Sequence, residues 1–571
     1  MATFVVTTLA DENDTEVAGS PFNGAGLSLR EAIALANANP DADTIEFDSS
    51  LNGTITLAAA GSAGELVINQ DVTIDGDGRI TLDGNDNSRI ISIRVDDGDS
   101  EDSDVSLSGL TFQRGNGDGS FTFFGDPTGG AVFAWGPTTD VSIQDSDFHS
   151  NNAESGGAIY VFYGADISID GSLVHDNSAA SVAGAIGAWD HSSISVSNSN
   201  IYHNSADLEV GALLVRFASS LYISNSSVSY NHAPNSAAIY LTGTDNVVHV
   251  SGSNIIGNAA YNVGGILVGG GSLTVINSVV AGNISGDNSY SSIYGGPDIG
   301  LPAYPWSGST LDVSHSFIGT PLVLPDGIPF NDSGGNIIGS PNVTVADLLG
   351  PLQDNGGPVP THAPVPGSLL IDAGDNSLVP STVTTDATGA LRISGGTVDI
   401  GAVEFQQTQP STPTEPLPEG SEVIAIVNLP GQVEPVMAGT GQDTVQGSIF
   451  GDLAYGNQGN DILTGDLGMD TLFGGLGDDA LYGGGDADVL AGNRGNDTLT
   501  GGTGADLFIL APTGVDVITD YLQIEGDVIR GVGFGPTSTV TALDGGIQIE
   551  NGLGGAVILL GVTSIDQVTF G

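Results

Sequence analysis

The chain has 571 residues, with 68 Asp and Glu against nine Arg and no Lys, a formal net charge of −59 and no Cys. So few cations exclude a nucleic-acid binder, which must neutralise phosphates, and argue against docking on an anionic membrane surface. The missing cysteines exclude disulfides, thiolate metal sites and cysteine nucleophiles, while 86 Gly and 26 Pro predict an all-β chain rich in tight turns.

Met1 to Thr7 has neither a basic start nor a long apolar core, so no Sec-type signal is expected. No uncharged apolar run approaches the ~18 residues of a membrane span. Leu29 to Asn39 reads as one short amphipathic helix, suited to cap a first coil of strands. A pair of small residues followed by a branched one then recurs at Gly130-Ala131-Val132, Gly157-Ala158-Ile159, Gly184-Ala185-Ile186 and Gly211-Ala212-Leu213, spaced by 27 residues. It continues as Ala237-Ala238-Ile239 and Gly264-Gly265-Ile266. A second column runs from Ser146-Phe148-Asn151 through Ser172-Val174-Asn177 and Ser199-Ile201-Asn204 to Ser278-Val280-Asn283, with a period of 25 to 27. Short alternating stretches such as Val141-Ser-Ile143 and Ile167-Ser-Ile169 lie between the columns. Each period holds about three strands and cannot bury its apolar face alone, but coils stacked at about 4.8 Å share one core. The predicted architecture is a parallel β-helix of at least six coils, extended upstream by Val72-Thr-Ile74 and Val105-Ser-Leu107. The Ser and Asn columns read as turn formers whose side chains satisfy one another in ladders.

Alternation sets Val132 and Ala134 inward and Phe133 and Trp135 outward, with Tyr160 and Phe162, Gly187 and Trp189, and Leu214 and Arg216 outward in later coils. Trp135, Phe162 and Trp189 are thus predicted to stack on one face, as a surface for sugar rings or a protein partner, or as the floor of the loop Gly115 to Gly129. His149 and His175 share a column one coil apart, with Asp176, Tyr202, His203 and Tyr230 beside them. They are the candidates for acid–base chemistry, with Arg216 the nearest cation by coil count. Outward turn residues of these types are ordinarily solvated surface.

Gly156 to Ile159, and Phe148 with Asn151, resemble motifs of polymorphic outer-membrane adhesins, whose passengers are right-handed parallel β-helices. Leu27-Ser28-Leu29-Arg30-Glu31-Ala32-Ile33, followed by Ala36-Asn37 and Asp43 to Phe47, resembles the Cys-Ser-Leu-Arg-Glu-Ala segment that opens many bacterial surface β-helices. Leu27 stands at the cysteine position. Asp354 to Pro358, Ile371 to Asp375 and Val398 to Ala402 resemble the closing segment of the same class. The resemblance spans residues 1–405 and implies architecture rather than activity.

Gln406 to Gly420, rich in Pro, Thr and Gln, reads as an extended linker. Beyond it an aspartate falls at every ninth residue: Asp443, Asp452, Asp461, Asp470, Asp479, Asp488, Asp497 and Asp506. Two residues after each stands Val445, Ala454, Leu463, Leu472, Leu481, Leu490, Leu499 or Phe508. This pattern matches the calcium-binding nonapeptide of RTX proteins. Its glycines expose backbone carbonyls and its Asp supplies a hard oxygen, so stacked turns make oxygen cages for Ca2+ around a thin apolar seam. Phe450 and Asp486 replace a motif glycine. Asp516-Val-Ile-Thr-Asp520-Tyr521 and Gly526-Asp527-Val-Ile529 resemble the block that caps RTX rolls, and the tail to Gly571 is then expected to carry a type I secretion signal.

The expected organisation is an amino-terminal cap (1–60), β-helix coils (61–345), a closing segment (346–405), a linker (406–421), a calcium-binding parallel β-roll (422–509) and a carboxyl-terminal cap with secretion signal (510–571). The expected function is that of an exported, calcium-binding cell-surface or matrix protein, adhesive, structural or glycan-binding, with calcium and an extracellular polysaccharide or cell surface as partners. The same plan occurs in alginate epimerases and some polysaccharide lyases, so the alternative is a uronate-active enzyme working through His149, His175, Asp176, His203 and Tyr230. The Tyr-Gly-Phe-Asp-Pro-His type of signature of the epimerases is absent.

Overall fold

The computed structural model describes the chain except residues 14–25, 58–63, 95–102, 118–121, 124–125, 287–292, 296–297, 303–308, 321–329, 340–343, 366–367, 395, 406–422, 426–434, 439–440, 448–450, 512, 532–533, 536–537, 544, 553 and 571. The expected linker therefore lies outside the described residues, as does Phe450.

Period-two alternation winds the first part of the chain into sheets of 21, 10 and six strands, parallel throughout except for the antiparallel pairing of Ile293–Gly295 with Ile299–Pro302 at the end of the second. Equivalent residues of successive coils sit side by side. Val132 pairs with Ile159, Ile159 with Ile186 and Ile186 with Leu213, while Val141 pairs with Ile167 and Ile167 with Ile194. Their inward side chains are buried in one continuous core. The period implies about three strands per coil; the coils have three faces but four strands, because one face is built of two short strands, as in Asp166–Asp170 and Leu173–His175. Between such strands the chain turns through a left-handed residue, Gly171 or Asn198 in neighbouring coils, a conformation that Gly and Asn tolerate best.

The Ser and Asn columns form the expected ladders. The Oδ1 of Asn177, Asn204, Asn231 and Asn258 each accepts the backbone N–H and the Nδ2 of the Asn one coil before, at 2.9–3.0 Å. Each Nδ2 also donates to a backbone carbonyl, as Asn204 does to Val174. The ladder ends on Asp298, whose Oδ1 accepts from Asn283. The serine hydroxyls accept the backbone N–H of the coil before, from Ser146 onto Ser172 and onward. Buried amides are thus paired without any strand giving up its own bonds.

At the amino end the helix Leu29–Asn37 is set by a capping box, with Glu31 Nα donating to Ser28 Oγ and Ser28 Nα donating to Glu31 Oε2. It buries Leu29, Ala32, Ile33 and Ala36 on the core. At the other end the described residues of 344–405 lie along the outside of the coils as a strap. Asn225 Nδ2 donates to the Thr385 carbonyl at 2.8 Å and Asn277 Nδ2 to that of Asp375 at 3.0 Å. The strap is held by a buried network in which Arg392 pairs with Glu404 at 3.3 Å, and Glu404 accepts the N–H groups of Ser394 and Asp399.

Candidate calcium roll and outward faces

From Thr444 the nine-residue period alternates strands between two parallel sheets, so each full turn takes 18 residues, as when Leu463 pairs with Leu481. Val445, Ala454, Leu463, Leu472, Leu481, Leu490, Leu499 and Phe508 are fully buried and make the expected seam. Asp461, Asp479 and Asp497 line one edge of the roll, and Asp470, Asp488 and Asp506 the other. Each is almost fully buried. Its Oδ1 accepts the backbone N–H of the aspartate one turn before, at 2.8 Å for Asp443 onto Asp461 and 2.7 Å for Asp452 onto Asp470.

The second oxygen is different. Oδ2 of Asp461, Asp470, Asp479, Asp488, Asp497 and Asp506 is buried and has no hydrogen-bond partner among the described residues. A Cβ on Gly456 would meet Asp461 Oδ2 at 2.6 Å, and one on Gly465, Gly474, Gly483, Gly492 or Gly501 would come closer still to its own aspartate. Glycine therefore keeps open the space into which each Oδ2 points. Burial pushes these carboxyls up, against the opposing pull of the backbone N–H and with help from neighbouring carboxylates, to about 6 for Asp461, Asp497 and Asp506, about 7 for Asp470 and Asp488 and about 8 for Asp479. Rows of buried carboxyl oxygens without partners among the described residues, set among bare backbone, fit a hard divalent cation that displaces their protons.

Two ladder members escaped the nine-residue rule. Asp516 accepts from Asp497 Nα and Asp527 from Asp506 Nα, both at 3.1 Å, although they stand 19 and 21 residues on. Counting periods missed them because the turns before them are longer. Asp486, in a motif glycine position, takes the left-handed conformation with φ +77°.

On the β-helix, Trp135, Phe162, Trp189 and Arg216 stand in register on neighbouring strands, as the alternation implied. The face is more closed than expected. Phe133, Tyr160 and Phe162 are 1%, 5% and 7% exposed, and only Trp135 and Trp189 remain half-buried. Tyr160 settles into space left by Gly187, where a Cβ would meet its ring at 2.8 Å. Tyr163 stacks at 5.8 Å from Trp135, Phe217 lies 5.2 Å from Trp189, and both are exposed. The Trp135 indole Nε1 is buried without an acceptor among the described residues. Much of the loop Gly115 to Gly129 lies outside those residues.

His149 and His175 stack at 5.4 Å, and His175 stacks on Tyr202 at 4.7 Å. His203 lies 5.8 Å from Tyr230 in the neighbouring turn column. His175 is gripped by Asp147 at 3.1 Å and Asp176 at 2.7 Å. Burial disfavours its charged form, but the two carboxylates outweigh burial and raise its pKa. Burial, then the same carboxylates, push the Tyr202 phenol up to about 12. A raised imidazole pKa favours the form with no free lone pair to accept a proton, and a phenol so hard to ionise supplies little phenolate at neutral pH. Asp176, His203 and Tyr230 occupy the left-handed turn position filled by Gly257 in the next coil. Arg216 is on a different sheet, paired with Glu209 at 2.7 Å and lying 4.8 Å over Trp189.

Family models match residues 101–292 as a right-handed beta helix region, and residues 437–472, 455–490 and 482–509 as RTX calcium-binding nonapeptide repeats. Among solved structures the chain is similar to pectate lyase Pel9A, at 15% identity over 71% of this chain and 96% of that one, with a TM-score of 0.35. It is also similar to the PL6 family alginate lyase AlyGC, at 12% identity over 92% of this chain and 76% of that one, with a TM-score of 0.20. No curated protein sequence matches. The chain is thus a right-handed parallel β-helix joined to an RTX calcium-binding β-roll, with Ca2+ as its cofactor.

Proposed function

We propose that this is an exported, extracellular binding protein whose β-helix attaches to a glycan or cell surface and whose roll folds around calcium once outside the cell. Asp443, Asp452, Asp461, Asp470, Asp479, Asp488, Asp497 and Asp506 line the calcium sites in this reading. The six Oδ2 atoms without a partner among the described residues carry it for the middle of the row. Glycine carbonyls complete each oxygen set, and the tail 510–571 carries the export signal. Extracellular calcium modules have Kd values of roughly 10⁻⁴–10⁻³ M, so such a roll stays open inside a cell and closes outside. Gly492→Ala sets a methyl group against Asp497 Oδ2 and is expected to weaken calcium binding at that turn at least about tenfold, about 1.4 kcal/mol. Calcium titration followed by circular dichroism reads this, and an unchanged midpoint would remove Asp497 Oδ2 from the ligand set.

Attachment is assigned to the aromatic strip of Trp135, Phe162 and Trp189 with the exposed rings of Tyr163 and Phe217. The observation that supports it is that the strip stands in register while the two rings against it remain exposed. Aromatic faces bind sugar C–H faces or bury in protein interfaces. Substituting Trp135, Tyr163 and Trp189 by Ala is expected to abolish retention on polysaccharide-coated or cell surfaces, with the calcium-induced β signal unchanged. Retention by the triple variant equal to that of the native protein would refute the assignment.

A further inference from the structure

Nine arginines serve 68 acidic residues, and eight of the nine are committed. Arg30, Arg79, Arg89, Arg94, Arg114, Arg216, Arg392 and Arg530 each form an ion pair with an Asp or Glu. Arg494 is the exception: its exposed guanidinium makes no hydrogen bond or ion pair among the described residues. It feels the charge of Asp372 without reaching it as a partner.

Arg494 also stands at an unusual place. It lines a cavity of about 510 Å³ where the roll meets the strap of the β-helix, a junction closed nearby by the Arg530–Asp347 pair at 2.8 Å. Beside it is Asn493, whose side-chain amide likewise has no partner among the described residues, and the cavity is also lined by Asp375 and His315, 3.9 Å apart. Ile371 and Ile509 supply apolar wall. The volume is within the roughly 300–1,000 Å³ of small-molecule sites, which favour domain junctions with a few polar groups on apolar walls.

We infer that this cleft binds a carboxylate-bearing sugar, with the carboxylate on the Arg494 fork, hydroxyls on Asn493 and Asp375, and the C–H face of the ring on Ile371 and Ile509. The planar guanidinium matches a carboxylate with two parallel hydrogen bonds. A dianion is disfavoured because Asp375 lines the cleft and Asp372 lies within the field of Arg494, and the Asp375 carboxylate accepts hydroxyl donors that a simple anion lacks. The site is separate from the aromatic strip and stands without it.

The test uses the full-length, calcium-loaded protein and a matched pair of probes, cellotriose and the corresponding β-1,4-linked glucuronate trisaccharide, in isothermal titration with free calcium held constant. The acidic trisaccharide is expected to bind saturably and cellotriose not to bind. Arg494→Ala should weaken binding at least tenfold, and Asn493→Gly should weaken it less. Trp135→Ala should leave it unchanged, which separates failure of this site from failure of the aromatic strip. Arg494 is exposed, so its removal should leave calcium-induced folding intact. Should Arg494→Ala fail to fold, Asn493→Gly carries the test. Equal binding of the two trisaccharides, no saturable binding, or undiminished binding by the folded variants would overturn the inference.

Discussion

Chelating calcium at neutral pH is expected to unfold the roll while the β-helix keeps its protection from hydrogen exchange. The aspartates of the roll have proton affinities raised from an ordinary 3.8 to about 6–8 by burial and by one another. A group whose folded pKa is raised stabilises the fold below its unfolded value, and that stability is lost as pH rises through the folded value. Each tenfold rise in proton affinity costs the ionised folded state about 1.4 kcal/mol. Several such acids ionised together oppose folding on the scale of the roughly 5–15 kcal/mol by which a domain is ordinarily stable. Without calcium the roll should therefore hold near about pH 4 and open between about pH 4 and pH 8. With calcium the carboxylates remain ionised and paired with the metal, and the pH dependence should largely vanish. Hydrogen exchange in chelator at about pH 7 and about pH 4.5, against the same pair with calcium, makes the comparison. Full protection of the strands Ile462–Leu467 to Thr498–Thr503 in chelator at neutral pH would sink the idea that calcium closes the roll.

The second large effect lies in the β-helix. Asn204→Ala is expected to destabilise it by at least about 3 kcal/mol, because the loss strands several buried groups at about 1–3 kcal/mol each. Asn204 Oδ1 accepts the Asn177 N–H and Nδ2, and its own Nδ2 donates to Asn231 Oδ1 and the Val174 carbonyl. All of these groups are shut away from water, so none can turn to solvent instead. In a solenoid each coil leans only on its neighbours, so exchange should rise first in the coils bearing Asn177 and Asn231. Ser168→Ala, at an outward and exposed position, is the control and should cost less than about 0.5 kcal/mol. A cost for Asn204→Ala as small as the control's would show that the ladder is dispensable.

What was legible in the sequence was whatever repeats. A solenoid places one side chain above its equivalent in every coil, so period, inward alternation and ladder residues are written at fixed spacing. Val141 over Ile167 and Asn177 over Asn204 follow from counting alone, and so do the seam and ladder of the roll from Asp461 to Asp506. The −59 charge was legible too. Only 11 of the 68 acids fall within residues 438–509, so the imbalance is a chain-wide shortage of bases and not a consequence of calcium sites.

Tertiary structure decided the places where periodicity fails. Asp516 and Asp527 join the ladders after longer turns, and only the strand pairing reveals them. Phe162 is outward by alternation yet buried, because Tyr160 leans into the gap at Gly187 and neighbouring rings close over the face. His175 shares a column with His149, but the grip of Asp147 and Asp176 sets its charge, and that depends on distances no spacing encodes. Arg494 is one arginine among nine in the sequence. Its lack of a partner among the described residues, in a cleft between the roll and a strap that lies about a hundred residues before it, exists only once the chain has folded. Repetition is a local rule that the sequence states outright, whereas partnership between distant surfaces depends on where the coils and the roll finally meet.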